Sequence, residues 1–234
     1  MAWQNSGSTG LFAEPTNGGQ GFKAWSASRT ADGAGTITGY FLNTSTEYGG
    51  GNLNSDDNSC FGMYAIDIDS NPATTQTCNV VRELMSPLMI GGTLTFKIGI
   101  QFRNGFKGVV FKRGANDLFG FRAGLLGGGD AYQTAAGNAG GALGTYTDLG
   151  WGYGTGDSVF TLAFNRTGTN SARCFIRQTG TSANNSTTIN IDPGSDSTAI
   201  DRVEFFVANT TVGGGGANNL YFNSLSAYNE WRLP

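Results

Sequence analysis

The stretch Thr93-Leu94-Thr95-Phe96-Lys97-Ile98-Gly99-Ile100-Gln101-Phe102-Arg103 alternates apolar residues with polar or small ones. Leu94, Phe96, Ile98, Ile100 and Phe102 fall on one side of an extended chain, and Thr95, Lys97, Gly99, Gln101 and Arg103 on the other. A period of two marks a strand with one buried face, because successive side chains point to opposite faces. Asn104-Gly105 follows, a pair suited to the positive φ angles of a two-residue hairpin. A return strand is then expected, with Val109 and Phe111 on one side and Val110 and Lys112 on the other. Gly114-Ala115-Asn116-Asp117 supplies the next turn and residues 118–123 the next strand, so 93–123 is predicted to be a three-stranded antiparallel meander.

Outward from this segment the chain stays extended. Strands are predicted at 39–43, 61–67, 158–165, 172–178, 187–191, 200–208 and 219–228, separated by Asn-, Ser-, Pro- and Gly-rich turns. Only Val80-Val81-Arg82-Glu83-Leu84-Met85, stopped by Pro87, suggests a short helix. Ten or more strands with one apolar face each predict an all-β fold of two packed antiparallel sheets. A jelly-roll sandwich is the expected architecture, with an irregular barrel as the alternative. Residues 1–234 are expected to form a single domain, with a Gly-rich insertion at about 124–156.

Composition narrows the chemistry. The 234 residues include 38 Gly and no His, and only 13% are charged. Without His there is no Ser-His-Asp triad, Cys-His dyad or histidine zinc site. A formal net charge of −3 argues against nucleic acid as a partner. No run approaches 18 consecutive apolar residues, so no membrane span is expected. Met1-Ala2-Trp3-Gln4-Asn5 lacks the charged and apolar regions of a signal peptide. Low charge with abundant Gly, Asn, Ser and Thr nevertheless suits an extracellular or cell-surface protein, read here as a mature form. An odd count of three Cys cannot pair completely: Cys60 and Cys78 either form a disulfide worth about 3 kcal/mol or stay reduced, and Cys174 is expected as a buried thiol.

Several segments carry a resemblance: Gly21-Phe22-Lys23-Ala24-Trp25, Phe119-Gly120-Phe121, Gly156-Asp157-Ser158-Val159-Phe160-Thr161-Leu162, Ile200-Asp201-Arg202-Val203-Glu204-Phe205 and Asn219-Leu220-Tyr221-Phe222-Asn223-Ser224-Leu225. Their order resembles a β-sandwich domain of bacterial secreted and surface proteins with C-terminal sorting tags, over roughly residues 20–228. That family is similar in shape to lectin and laminarinase sandwiches. The resemblance implies a lectin-like sandwich, an extracellular setting and glycan contact rather than a reaction. Where the family has an acidic residue before its closing strand, this chain has Asn219.

Catalytic constellations are weak. A retaining glycosidase needs two carboxylates roughly 5–5.5 Å apart, and none of Glu14, Glu47, Glu83, Glu204 and Glu230 has an acidic partner at the matching spacing in an apolar strand. Asp67 and Asp69 are two apart but run into Ser70-Asn71-Pro72, and Arg82-Glu83-Leu84 matches only the arginine motif of jelly-roll polysaccharide lyases. Binding features are stronger. Six of the 14 Lys and Arg lie within 97–122, and parity puts Lys97, Gln101, Arg103, Lys112 and Arg122 on one basic sheet face suited to an anionic polysaccharide. Such a row serves equally as a solvated face or a charged edge. Tyr132, Tyr146, Trp151 and Tyr153, near Asp130, Asn138 and Asp148, offer rings for sugar stacking or for pinning the Gly-rich segment. No cofactor is required; Asp56-Asp57-Asn58 and the 192–196 segment carry oxygen donors suited to a structural calcium. The expected function is a non-catalytic extracellular carbohydrate-binding or adhesion module. The alternative is a self-associating structural subunit of a surface coat or extracellular filament.

Overall fold

The computed structural model describes residues 22–30, 36–43, 60–67, 76–100, 106–126, 129–151, 158–179, 185–194, 197–209 and 219–228. These form β1 (Phe22–Thr30), β2 (Thr36–Asn43), β3 (Cys60–Asp67), β4 (Gln76–Leu84), β5 (Thr93–Ile100), β6 (Phe106–Arg113) and β7 (Asn116–Leu126). They continue with β8 (Gly129–Ala136), β9 (Thr147–Asp148), β10 (Ser158–Arg166), β11 (Ala172–Thr179), β12 (Asn185–Ile191), β13 (Arg202–Asn209) and β14 (Asn219–Tyr228). One sheet has the order β12-β11-β10-β5-β14-β3-β2 and the other β1-β4-β13-β6-β7-β8-β9, both antiparallel throughout. The fold is the all-β jelly-roll sandwich of two antiparallel sheets. No helix among the described residues is long and apolar enough to cross a membrane.

Alternation builds the core as expected. Leu94, Phe96, Ile98 and Ile100 of β5 are fully buried, as are Phe160, Leu162 and Phe164 of β10 and Val203, Phe205 and Val207 of β13. The sheets meet through aromatic rings. Phe96 lies 5.5 Å from Phe111 and 5.1 Å from Phe205, Phe164 lies 5.0 Å from Phe111, and Phe205 stacks on Phe222 at 3.9 Å. Such pairs add roughly 0.5–1.5 kcal/mol each beyond the area they bury.

The expected 93–123 meander is corrected. β5 pairs with β10 and β14, whereas β6 pairs with β13 and β7 in the opposite sheet. Phe96 and Phe111 therefore face each other across the core instead of sharing one sheet face. A period of two shows which side of a strand is apolar but not which strand lies beside it, and here packing across the core overrides the local Asn104-Gly105 signal. In this part of the chain the meander is β6-β7-β8.

Two further expectations change. The helical candidate at 80–85 is the end of β4, with Cys78, Val80, Arg82 and Leu84 buried and alternate residues less so. The inward Arg82 broke the apolar alternation; its guanidinium lies 5.2 Å from the Phe22 ring centroid. The stretch at 124–156 is no simple insertion: it contains the end of β7, all of β8 and β9, and a bridge between Gly137 and Leu143.

A second cation points inward. Lys107 of β6 is 0% exposed, beside Val207 and Ala123 in the register. Burial pulls its amine from the ordinary 10.5 down to about 7. Below about 7 the amine is charged in both states, and above 10.5 in neither; between them the unfolded chain binds the extra proton. Stability should therefore rise with pH across that window. Lys107→Met should flatten the rise and stabilise the protein below pH 7 by a few kcal/mol, at about 1.4 kcal/mol per pK unit. Urea unfolding of both forms at several pH values measures this, and parallel curves would contradict it.

Candidate functional site

The register of the second sheet sets out its outer face row by row. Phe206, Gly108, Arg122, Gln133 and Asp148 line up across β13, β6, β7, β8 and β9. The rows on either side hold Val110, Gly120 and Ala135, and Phe106, Gly124 and Ala131. Arg122 thus rises from a floor of small residues, with room for rings on both sides.

The segment after β8 supplies one of those rings. Gly137 donates to the Leu118 carbonyl and Gly144 to that of Ala136, while Asn138 Oδ1 accepts from Gly140. Gly141, at φ +77°, turns the chain through a conformation other residues resist. This folding lays Leu143 and Tyr146 over Gly120: a Cβ there would lie 2.5 Å from the Tyr146 hydroxyl and 2.7 Å from Leu143 Cδ1. A larger residue there would have to push Tyr146 and Leu143 aside.

Arg122 is clamped. Its guanidinium carbon lies 4.0 Å from the Phe106 ring centroid and 3.8 Å from that of Tyr146, rings reaching it from the two flanking rows. Its Nε donates to Gln133 Oε1 at 2.8 Å, satisfying an amide oxygen of a buried side chain. Burial lowers the Arg122 pKa, with the Tyr146 phenol acting in the opposite sense. Burial pushes the Tyr146 phenol up to about 12, opposed by the Arg122 charge.

Several other charges on this face, among the described residues, neutralise one another. Lys112 Nζ lies 3.0 Å from Asp117 and 2.8 Å from Glu204, and Arg202 pairs with Glu83 at 3.2 Å and Asp201 at 2.9 Å. Lys23 also pairs with Glu83, at 2.9 Å. Glu83 and Glu204 are therefore committed to ion pairs, and Arg82 of the lyase-like triplet is buried in the core.

The structure divides the expected site residues. Tyr146 and Arg122 come together. Tyr132 is corrected to a core residue: at 1% exposure it packs on Phe121 and Phe160, because its place on β8 points inward. Lys112 is corrected from a free anion-binding cation to the centre of an ion-pair cluster. Lys97 belongs to β5, in the other sheet, so it does not share a face with Lys112 and Arg122. Trp151 is half-buried against the core. Gln101, Arg103 and Tyr153 lie outside the described residues, as does the side chain of Cys60, half of the expected disulfide. Cys78 is buried, and Cys174 is a buried free thiol whose pKa burial raises. Asp192 accepts from Gly194 in its own turn, and Asp148 likewise from Gly150. Asp56, Asp57 and Asn58 lie outside the described residues, among which no group of three or more His, Cys, Asp or Glu could hold a metal. Phe106 and Gln133 were not foreseen. Parity along β6-β7-β8 would have found them, had the partners of each strand been known.

No described protein family matches the sequence, and no curated protein sequence matches it. Solved structures share the fold. The globular domain of T. cruzi calreticulin aligns over 99% of this chain and 89% of its own, at 8% identity and a TM-score of 0.54. The catalytic domain of the glycoside hydrolase family 131 protein from Coprinopsis cinerea aligns over 82% and 77%, at 12% identity and 0.51. The endo-beta-1,4-glucuronan lyase from the fungus Trichoderma reesei aligns over 83% and 87%, at 8% identity and 0.50. The likeness is one of fold.

Gly120→Ala tests the clamp. The added methyl should displace Tyr146 and Leu143, costing about 1–3 kcal/mol, and let the Tyr146 phenol titrate nearer its ordinary 10.0. Ultraviolet-difference titration, with Tyr146→Phe to assign the signal, reads this directly. A phenol still titrating near 12 in Gly120→Ala would contradict the packing described.

Proposed function

We propose that this protein is a non-catalytic carbohydrate-binding module of extracellular or cell-surface setting, whose receptor is the outer face of the second sheet around Arg122. The observation that carries the proposal is the clamp itself: a partly exposed guanidinium between two half-buried rings, anchored by Gln133. Sugars present C–H faces that pack on aromatic rings and hydroxyls that accept from guanidinium donors. A few polar groups fixed on an aromatic base suit such ligands. Two of the proteins that share the fold are, by their names, a glycoside hydrolase and a glucuronan lyase, both of which act on carbohydrates. At their low identity they support the architecture, and the glycan reading rests on Arg122 and its rings.

Affinity electrophoresis against neutral and acidic polysaccharides, each with calcium and with chelator, tests the proposal. Retardation by at least one polymer is expected, and Tyr146→Ala should weaken it about tenfold, or about 1.4 kcal/mol, with circular dichroism unchanged. Free migration in every gel would refute the reading.

One observation favours the assembly reading. Among the described residues, the first sheet ends on β12 and β2, and neither strand carries a charge or a proline. Edges of that kind lack the usual protection against strand addition, and joining β12 of one copy to β2 of another would extend the sheet into a filament. On this reading sedimentation velocity shows concentration-dependent growth that Thr188→Lys suppresses. A monomer at all concentrations would exclude it.

A further inference from the structure

Resting on the glycan reading, we infer that the sugar recognised at Arg122 carries a carboxylate, so that the ligand is a uronic-acid polysaccharide. Three observations lead there. The orientation of the guanidinium is set before any ligand arrives, by Phe106 and Tyr146 on its faces and Gln133 at its Nε edge. This leaves the edge bearing Nη1 and Nη2, whose N–H groups make no hydrogen bond among the described residues. Two coplanar donors in a fixed fork match the two oxygens of a carboxylate, a fit that a sugar hydroxyl cannot use fully.

The second observation is charge. Lys112, Arg202 and Lys23 have carboxylate partners within 3.2 Å, whereas Arg122 makes no ion pair among the described residues and has the neutral Tyr146 phenol ring on one face. Asp148 lies one strand beyond Gln133 in the same row, and its carboxylate accepts from the Gly150 N–H. The third is partial burial. Arg122 is half-buried; a cation partly removed from water, with no carboxylate partner among the described residues, is left under-compensated, and an anionic group would restore the balance more strongly than at an open surface. The rings flanking the fork would hold the pyranose while the fork takes its carboxylate. A sulfate ester offers related chemistry, but its tetrahedral oxygens match a planar fork less closely.

The test compares polygalacturonate, the same polymer with its carboxylates reduced to primary alcohols, and a sulfated glucan. Wild-type protein should bind polygalacturonate at least tenfold more tightly than the reduced polymer, and added salt should narrow the gap. Arg122→Lys keeps the charge but loses the fork, and should lower polygalacturonate affinity at least tenfold, a larger factor than it takes from the reduced polymer, so that the selectivity between the two narrows. Gln133→Glu keeps the side-chain shape and places an internal carboxylate on Arg122. It should retain the fold and lose the same selectivity. Equal affinity for the native and reduced polymers, or full polygalacturonate binding by Gln133→Glu, overturns the inference while the glycan reading stands. Tighter binding to the sulfated glucan than to polygalacturonate overturns the carboxylate assignment. Binding to none of the three overturns the inference, and binding to no polysaccharide at all overturns the glycan reading as well.

Discussion

Phe96 meets Phe111 and Phe205 across the gap between the sheets, and Phe205 stacks on Phe222. These contacts commit β5 and β14 to one sheet and β6 and β13 to the other. In a strand, choosing the inward residue also chooses the outward one. With Phe119, Phe121 and Ala123 of β7 buried, Arg122 has to emerge on the outer face, and with Tyr132 buried on β8, Gln133 has to emerge beside it. The site is thus a consequence of the aromatic core one layer below.

The distribution of charge follows the same geometry. Cross-strand and diagonal neighbours on the outer face bring Lys112 to Asp117 and Glu204, and Arg202 to Glu83. These half-buried pairs remove Lys112 from the pool of charges open to a ligand. On the inner face Lys107 and Arg82 occupy positions that alternation assigns to apolar residues. Lys107 accommodates burial through a lowered pKa, and Arg82 lies over Phe22.

Small residues on the outer face of β6 to β8 give the clamp its space. Gly108, Gly120 and Gly124 surround Arg122 in the register, and Gly120 lets Tyr146 and Leu143 lie flat on the sheet. Among the described glycines, Gly120 marks a place where a ring crosses a strand.

Composition and alternation alone determined that the chain is all-β and that it folds as two antiparallel sheets, and they located ten of the fourteen described strands, missing β1, β4, β8 and β9. Strands such as 158–166, 172–179 and 219–228 were legible because burial of one face imposes a period of two on the residues themselves. The absence of histidine likewise excluded whole classes of catalysis without any structure. Strand partners were not legible, because any apolar face can pack against any other and loop-closure entropy discriminates weakly between them. Partner choice separated Lys97 from Lys112, buried Tyr132, neutralised Lys112 and set Phe106, Gln133 and Tyr146 around Arg122. The residues of the candidate site stand up to 40 positions apart, from Phe106 to Tyr146; only the order of strands in the second sheet makes them neighbours.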